Sequence, residues 1–129
     1  MLLVKTSLRM STIPEAGIGC FAAEKIPQGY KIWQFNPYID RVFTQDEFDS
    51  FDSLQQEFLK IYCYMHDARY YLCVDNSRFF NHSSDPNTYE SITQQATYAA
   101  RDIESGEEIL SNYSDFGVTD QDRIFNIQL

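Results

Sequence analysis

A mostly β domain with a short helical insert is the fold this sequence predicts, and three observations predict it. Residues 21–32 read aromatic-Ala-Ala-x-x-Ile-x-x-Gly-x-x-Ile, and residues 98–109 repeat that pattern. Each copy has the form of a strand, a tight turn with glycine at the strained position, and a returning strand. Between the copies, Thr44-Gln45-Asp46-Glu47 has the form of a capping box, in which Thr and Glu satisfy free amide donors at a helix start. Two related corners, one near each end, describe a compact β domain, and two copies are too few for a solenoid.

The elements follow in order. After the box, apolar residues recur at Phe48, Phe51, Leu54, Phe58, Ile61 and Met65, close to the helical period. Ser53 to Gln56 offers a second helix start, so a break is expected near Asp52. His66 then falls at the end of the helical segment, where a cationic imidazole favours the negative terminus. A strand is expected over 69–75, with Tyr70, Leu72 and Val74 on one face. Further strands are expected over 94–103 and 107–113. Another box, Thr119 to Asp122, marks a short helix in the tail. No linker, low-complexity tract or charge block divides the 129 residues. They are therefore expected to form a single domain over 1–129, with 44–66 as its helical insert and 114–129 as its tail.

Hydrophobic residues make up 43% of the chain and aromatic residues 16%, enough for a sizeable core rich in Phe and Tyr. No apolar run reaches bilayer length, and the first residues are too few for a secretion signal, so no membrane partner is expected. Three cysteines, Cys20, Cys63 and Cys73, show no paired spacing. An odd count of this kind indicates reduced thiols in an intracellular protein. Cys63 and His66 are three apart, half of a zinc spacing without its second half, so buried cysteine is the preferred reading and no metal is expected. The net charge of -9 disfavours direct nucleic-acid binding and favours cationic partners through steering.

Three segments stand out as sites. Asn81-His82-Ser83-Ser84-Asp85-Pro86-Asn87 resists regular structure, because Asp and Asn favour local turns and the residue before proline avoids the helical region. Polar irregular backbone between apolar flanks often carries function. Gly17-Ile18-Gly19 lets backbone approach another group closely, but it lacks the strand-to-helix context of a dinucleotide fingerprint. The third segment runs from Gly106-Glu107-Glu108 to Tyr113. Taken singly, each has a plain alternative: a turn, a structural histidine, a core tyrosine, a pair of solvated glutamates. No nucleophile elbow, paired His-x-x-x-His or phosphate loop is present.

Together and in this order, Gly17-Ile18-Gly19, Arg78-Phe79-Phe80 with Asn81 to Asn87, and Gly106-Glu107-Glu108-Ile109 leading to Tyr113 resemble a SET domain. The resemblance covers about residues 10–113 and implies a protein-lysine methyltransferase using S-adenosylmethionine and releasing S-adenosylhomocysteine. The implied fold is a β-clip-like set of small twisted sheets. Its C-terminal pseudoknot threads the Asn81 segment beneath the stretch near Tyr113, a rare exception to unthreaded connections. By position, the resemblance gives Gly17, Ile18, Gly19, Asn81 and His82 to the cofactor and makes Tyr113 the catalytic residue. It offers Tyr89 and Tyr98 for the substrate channel, for which core packing is the alternative.

The sequence also departs from the family pattern. Ser84 stands where many members carry cysteine, and residues 114–129 hold none, so no zinc-binding tail motif is expected. Phe116 or Phe125 is then a candidate to close the adenine pocket. Ser111 occupies the place where an aromatic often tunes methylation number, and Ser114 follows the tyrosine in place of glycine. The implied partner is a lysine-containing, basic protein. A homodimer through Phe48, Phe51 and Phe58 would extend the groove, although that face more simply packs on its own core. The rival function is a non-catalytic SET-fold module that binds cofactor or protein.

Overall fold

The computed structural model describes residues 1–116. The chain begins with an antiparallel pair, β1 (Thr6–Met10) and β2 (Ile18–Ala22), in which Arg9 faces Gly19. A three-stranded sheet places β9 (Ala96–Ala99) between β3 (Lys31–Gln34) and β8 (Thr88–Ser91). A second three-stranded sheet places β6 (Arg69–Leu72) between β4 (Arg41–Phe43) and β5 (Cys63–His66). Two very short strands, β7 (Asn81–His82) and β10 (Leu110–Ser111), pair in parallel, with Leu110 opposite Asn81 and Ser111 opposite His82. The mostly β architecture is therefore observed.

The repeated corners close on each other. Ile26 and Ile103 exchange both backbone hydrogen bonds at 2.8 Å. Gly29 N–H donates to the Ala99 carbonyl, and Gly106 N–H donates to the Ala22 carbonyl, its counterpart in the other copy. Both glycines have positive φ, +81° and +91°, as the turn pattern requires. Ile26, Ile32, Ile103 and Ile109 are all buried and, with Cys20, Ala22 and Trp33, form the main core.

The helical insert divides where the sequence allows. Helix α1 (Gln45–Ser50) starts on the Thr44–Glu47 box. Helix α2 (Ser53–Tyr62) starts on a second box, from Asp52 to Gln55, one residue earlier than Ser53 to Gln56. Phe48 is buried and stacks on Tyr70, ring centroids 4.3 Å apart, while Phe51 packs edge-on against Phe43. The helix face thus packs largely on its own domain, with Phe58 left 44% exposed.

Four expectations need correction. The helical pattern ends at Tyr62, so Met65 and His66 lie on β5 and His66 is at no helix terminus. Asp67 and Ala68, both at positive φ, turn β5 directly into β6 as a two-residue hairpin. Strand 69–75 stops at Leu72, and Tyr71 and Cys73 are its buried positions; Val74 is exposed. Tyr70 and Leu72 do share a side, the one facing the insert. Strands 94–103 and 107–113 shrink to β9 and β10, because the corner between them is held by the isolated Ile26–Ile103 bridge. Tyr113 opens a 3₁₀ turn (Tyr113–Phe116) and does not end a strand. The expected helix from Thr119, and Phe125, lie outside the described residues, and of Phe116 only its place in this turn is described.

Candidate active site

Glu108 organises the region where the three motifs meet. Copy two of the corner delivers it on the approach to β10, and it is 6% exposed. Its carboxylate accepts from Ser11 Oγ at 2.7 Å, Thr12 N at 2.8 Å, Thr12 Oγ1 at 2.6 Å and Asn81 Nδ2 at 3.1 Å. Burial alone would raise its pKa, but the donors of Thr12, Ser11 and Asn81 outweigh it and hold the carboxyl below the usual range. A Cβ on Gly19 would stand 2.4 Å from Glu108 Oε2, so the second glycine of Gly17-Ile18-Gly19 is required by this carboxylate. Gly17, at φ +78° with open space around it, is required by backbone conformation instead.

Asn81 on β7 ties this hub to the glycine segment. Its Nδ2 donates to the Ile18 carbonyl at 3.0 Å as well as to Glu108. His82, next on β7, accepts the Tyr113 backbone N–H on Nδ1 at 3.1 Å. That bond places the proton of a neutral imidazole on Nε2. The two rings lie 5.1 Å apart. Tyr113 Oη donates to the Phe80 carbonyl at 2.8 Å. The tyrosine is thus gripped at both ends by residues adjoining Asn81. Burial, with Glu108 nearby, pushes its phenol up to about 12. Asn87, 1% exposed, fastens the same stretch by donating to the Glu108 carbonyl and accepting from Leu110 N.

A partly open cavity lies against Tyr113. Phe80, Tyr62, Tyr64, Thr97 and Ser111 share its wall. Trp33 and Arg78 also line it, and Trp33 Nε1 and Arg78 Nε are buried without a hydrogen-bond partner, which leaves two donors for water or a polar occupant. Cys63 and Cys73 line it as well; burial raises both thiols, Cys63 to about 12, so they are protonated and unreactive. Gly17, Ile18, Gly19, Asn81 and His82 are not on this wall. Tyr113 therefore touches the cavity on one side and the Asn-His pair on the other.

The structure brings Ile18, Gly19, Asn81, His82 and Tyr113 together. It sets Tyr89 and Tyr98 apart from the cavity wall: they stack on each other 5.3 Å apart, with Tyr89 47% exposed. Sequence reasoning counted Glu108 and Asn87 with their motifs but gave neither a role of its own, and took the Glu108 side chain for a solvated turn residue. The signal for Glu108 was its pairing with Gly19, a position where only a missing Cβ leaves room. Among the described residues, no group of three or more His, Cys, Asp or Glu is placed to hold a metal ion, and no helix is long and apolar enough to cross a membrane.

Fold and site together define a SET domain. The family model described as SET domain matches residues 17–114, and the chain belongs to this family. The active polycomb repressive complex 2 in its basal state contains a chain 24% identical, with a TM-score of 0.65 over 87% of this chain and 15% of that one. The Chaetomium thermophilum complex, in an autoinhibited conformation bound to S-adenosylmethionine, gives 22% identity and a TM-score of 0.64 over 87% and 15%. A Plasmodium falciparum protein designated a histone methyltransferase gives 22% identity and a TM-score of 0.61, over 87% of this chain and 95% of that one. The chain thus spans about 15% of the polycomb chains and nearly the whole of the Plasmodium one.

Proposed function

We propose that this chain transfers a methyl group from S-adenosylmethionine to the side-chain amine of a lysine in a protein substrate. The observation that carries the reading is the position of Tyr113, held by His82 and Phe80 between the Asn81–Ile18–Glu108 cluster and the cavity. The cluster fits a cationic cofactor: Glu108, its oxygens taken up by Ser11, Thr12 and Asn81, contributes the field of a carboxylate held in its charged form, beside the Ile18 carbonyl and open backbone at Gly17. When bound, S-adenosylmethionine supplies an electrophilic methyl group.

The protein's own residues do the rest. Gly17, Ile18 and Gly19 present backbone to the cofactor, Asn81 orients its ammonium group, and His82 sets the adenine edge while fixing Tyr113. A free lysine amine has a pKa of about 10.4, and entry into a cavity walled by Phe80, Tyr62 and Tyr64 favours its neutral, attacking form. Tyr113 stays protonated at neutral pH and is not the base. With its proton on the Phe80 carbonyl, its oxygen is turned to accept an amine N–H and align the nucleophile. A net charge of -9 steers basic protein substrates to the surface. The parallel β7–β10 pair supports the threaded, pseudoknot-like crossing, and three buried free cysteines support an intracellular setting.

The test is transfer of a radiolabelled methyl group to core histones, with S-adenosylhomocysteine binding measured by calorimetry. Tyr113→Phe is expected to lower turnover by about 10²-fold or more, the scale of losing one positioned group at a reacting centre, with little change in cofactor affinity. Tight cofactor binding without transfer to any lysine-rich protein would leave a binding module and overturn the enzyme reading.

A further inference from the structure

Six residues that carry a hydroxyl line the cavity, and those of Tyr113, Thr97 and Ser111, like those of Tyr64 and Ser77, have their protons committed elsewhere. Tyr113 Oη donates to the Phe80 carbonyl at 2.8 Å. Thr97 Oγ1 donates to Glu90 Oε2 at 2.5 Å, and Ser111 Oγ donates to Glu90 Oε1 at 3.2 Å. Thr88 Oγ1 lies 3.4 Å from Ser111 Oγ, but its own proton goes to the Leu110 carbonyl at 2.8 Å. A carboxylate is the stronger acceptor for the single proton of Ser111. Thr97 and Ser111 are 2% and 1% exposed, so they form a deep floor and not a rim. Glu90 itself stands behind them, on the wall of a smaller neighbouring pocket.

A hydroxyl has one proton and two lone pairs. With the protons turned to Glu90 and Phe80, the floor offers lone pairs to whatever enters. We propose that Glu90, acting through Thr97 and Ser111, makes this cavity selective for amines that still carry N–H groups, so that methylation stops short of the trimethylated product. The inference rests on the reading that the cavity receives the lysine amine. A primary ammonium brings three N–H donors and a trimethylammonium brings none. Methyl groups pressed on buried acceptors leave those oxygens unsatisfied, which costs more than the lost bond. The carboxylate attracts a cation of any methylation number, so the discrimination comes from the count of N–H groups. The partnerless N–H groups of Trp33 and Arg78 do not change that count, because a donor offers an ammonium nothing. Glu90 is thus a positioning residue.

The experiment titrates the free chain with n-butylammonium and with butyltrimethylammonium, followed by NMR. The wild type is expected to prefer the first about tenfold, the worth of roughly one well-placed hydrogen bond. Glu90→Gln gives one floor hydroxyl an amide donor in place of an acceptor, which turns that hydroxyl's proton into the cavity; the preference should fall below about threefold. Thr97→Val removes one floor acceptor and leaves the Glu90 carboxylate with its bond from Ser111, and it should move the ratio the same way. Thermal melts of both variants exclude unfolding as the cause. Equal affinity of the wild type for the two probes, binding of neither, or a ratio unmoved in both variants overturns the proposal. None of these readings needs methyl transfer, so a chain inactive on core histones would defeat the enzyme assignment while the amine ratio still decides this one.

Discussion

Residues 21–32 and 98–109 carry one pattern, and each holds the other in place. Gly29 bonds to Ala99 as Gly106 bonds to Ala22, and the two isoleucines between them exchange hydrogen bonds. Even the leading aromatics are treated alike: the Arg9 guanidinium lies 4.1 Å over Phe21, and Lys31 Nζ lies 5.7 Å over Tyr98. At the eleventh position the copies part. The first has Lys31, half-buried and donating to Gln34 Oε1. The second has Glu108, buried and bound to Ser11, Thr12 and Asn81. A symmetrical frame fixes the backbone twice. A charged group turned inward at one position then gathers Gly19 and Asn81 around it and makes one copy a site.

The symmetry of the frame is broken most severely at its centre. Ile26→Ala and Ile103→Ala each delete a side chain that is at most 1% exposed in the shared core. Each should cost about 2–5 kcal/mol, and the two should agree closely, because each empties the same buried core beside the same backbone bridge. Denaturant unfolding of the pair measures this. A large cost at one and a small cost at the other would show that the corners do not share their core.

The divergence is tested at the eleventh position. Glu108→Ala strands the donors of Thr12, Ser11 and Asn81 and should cost about 3 kcal/mol, while Lys31→Ala should stay within about 0.5 kcal/mol. The Glu108 variant should also lose S-adenosylhomocysteine affinity, as Asn81 loses its anchor. The pH dependence has a fixed sign. A carboxyl whose folded pKa is depressed contributes its full stability above the ordinary value of about 4.3, and that stability is lost as pH falls through the ordinary value and the lower folded one. Stability of Glu108→Gln should therefore fall less steeply below about pH 4.3 than that of the wild type. Parallel acid curves would detach Glu108 from the network.

Much of this was legible in the residues. The pattern of the two corners, the first capping box and the break near Asp52 all rest on local chemistry, and local chemistry is what a sequence displays. Asn81, His82 and Tyr113 were readable as a set because their order along the chain is distinctive. What stayed hidden was long-range pairing. Nothing local says that Ile26 meets Ile103, so the strands beside that bridge were drawn too long. Asp67-Ala68 lacks the Asn-Gly form of a tight hairpin, so β5 was read as the end of a helix. Glu108 looked solvated because its donors arrive from residues 11, 12 and 81.

The smallest expected effect is the sharpest test of equivalence. Gly29 and Gly106 both hold positive φ, where a side chain is strained in the backbone whatever the surrounding space. At Gly29 an added Cβ meets nothing within 4 Å, and at Gly106 it meets only Arg9 Nη2 at 3.7 Å, an ordinary contact. Neither substitution by alanine therefore carries a packing penalty, and what is left is the conformational cost of about 1 kcal/mol at each. Gly106→Ala sits two residues from Glu108, yet its cost should match that of Gly29→Ala within the error of thermal unfolding, because the turn belongs to the frame and not to the site. A markedly larger loss at Gly106, accompanied by weaker S-adenosylhomocysteine binding, would mean that the carboxylate's placement depends on its own turn and not on the paired corners.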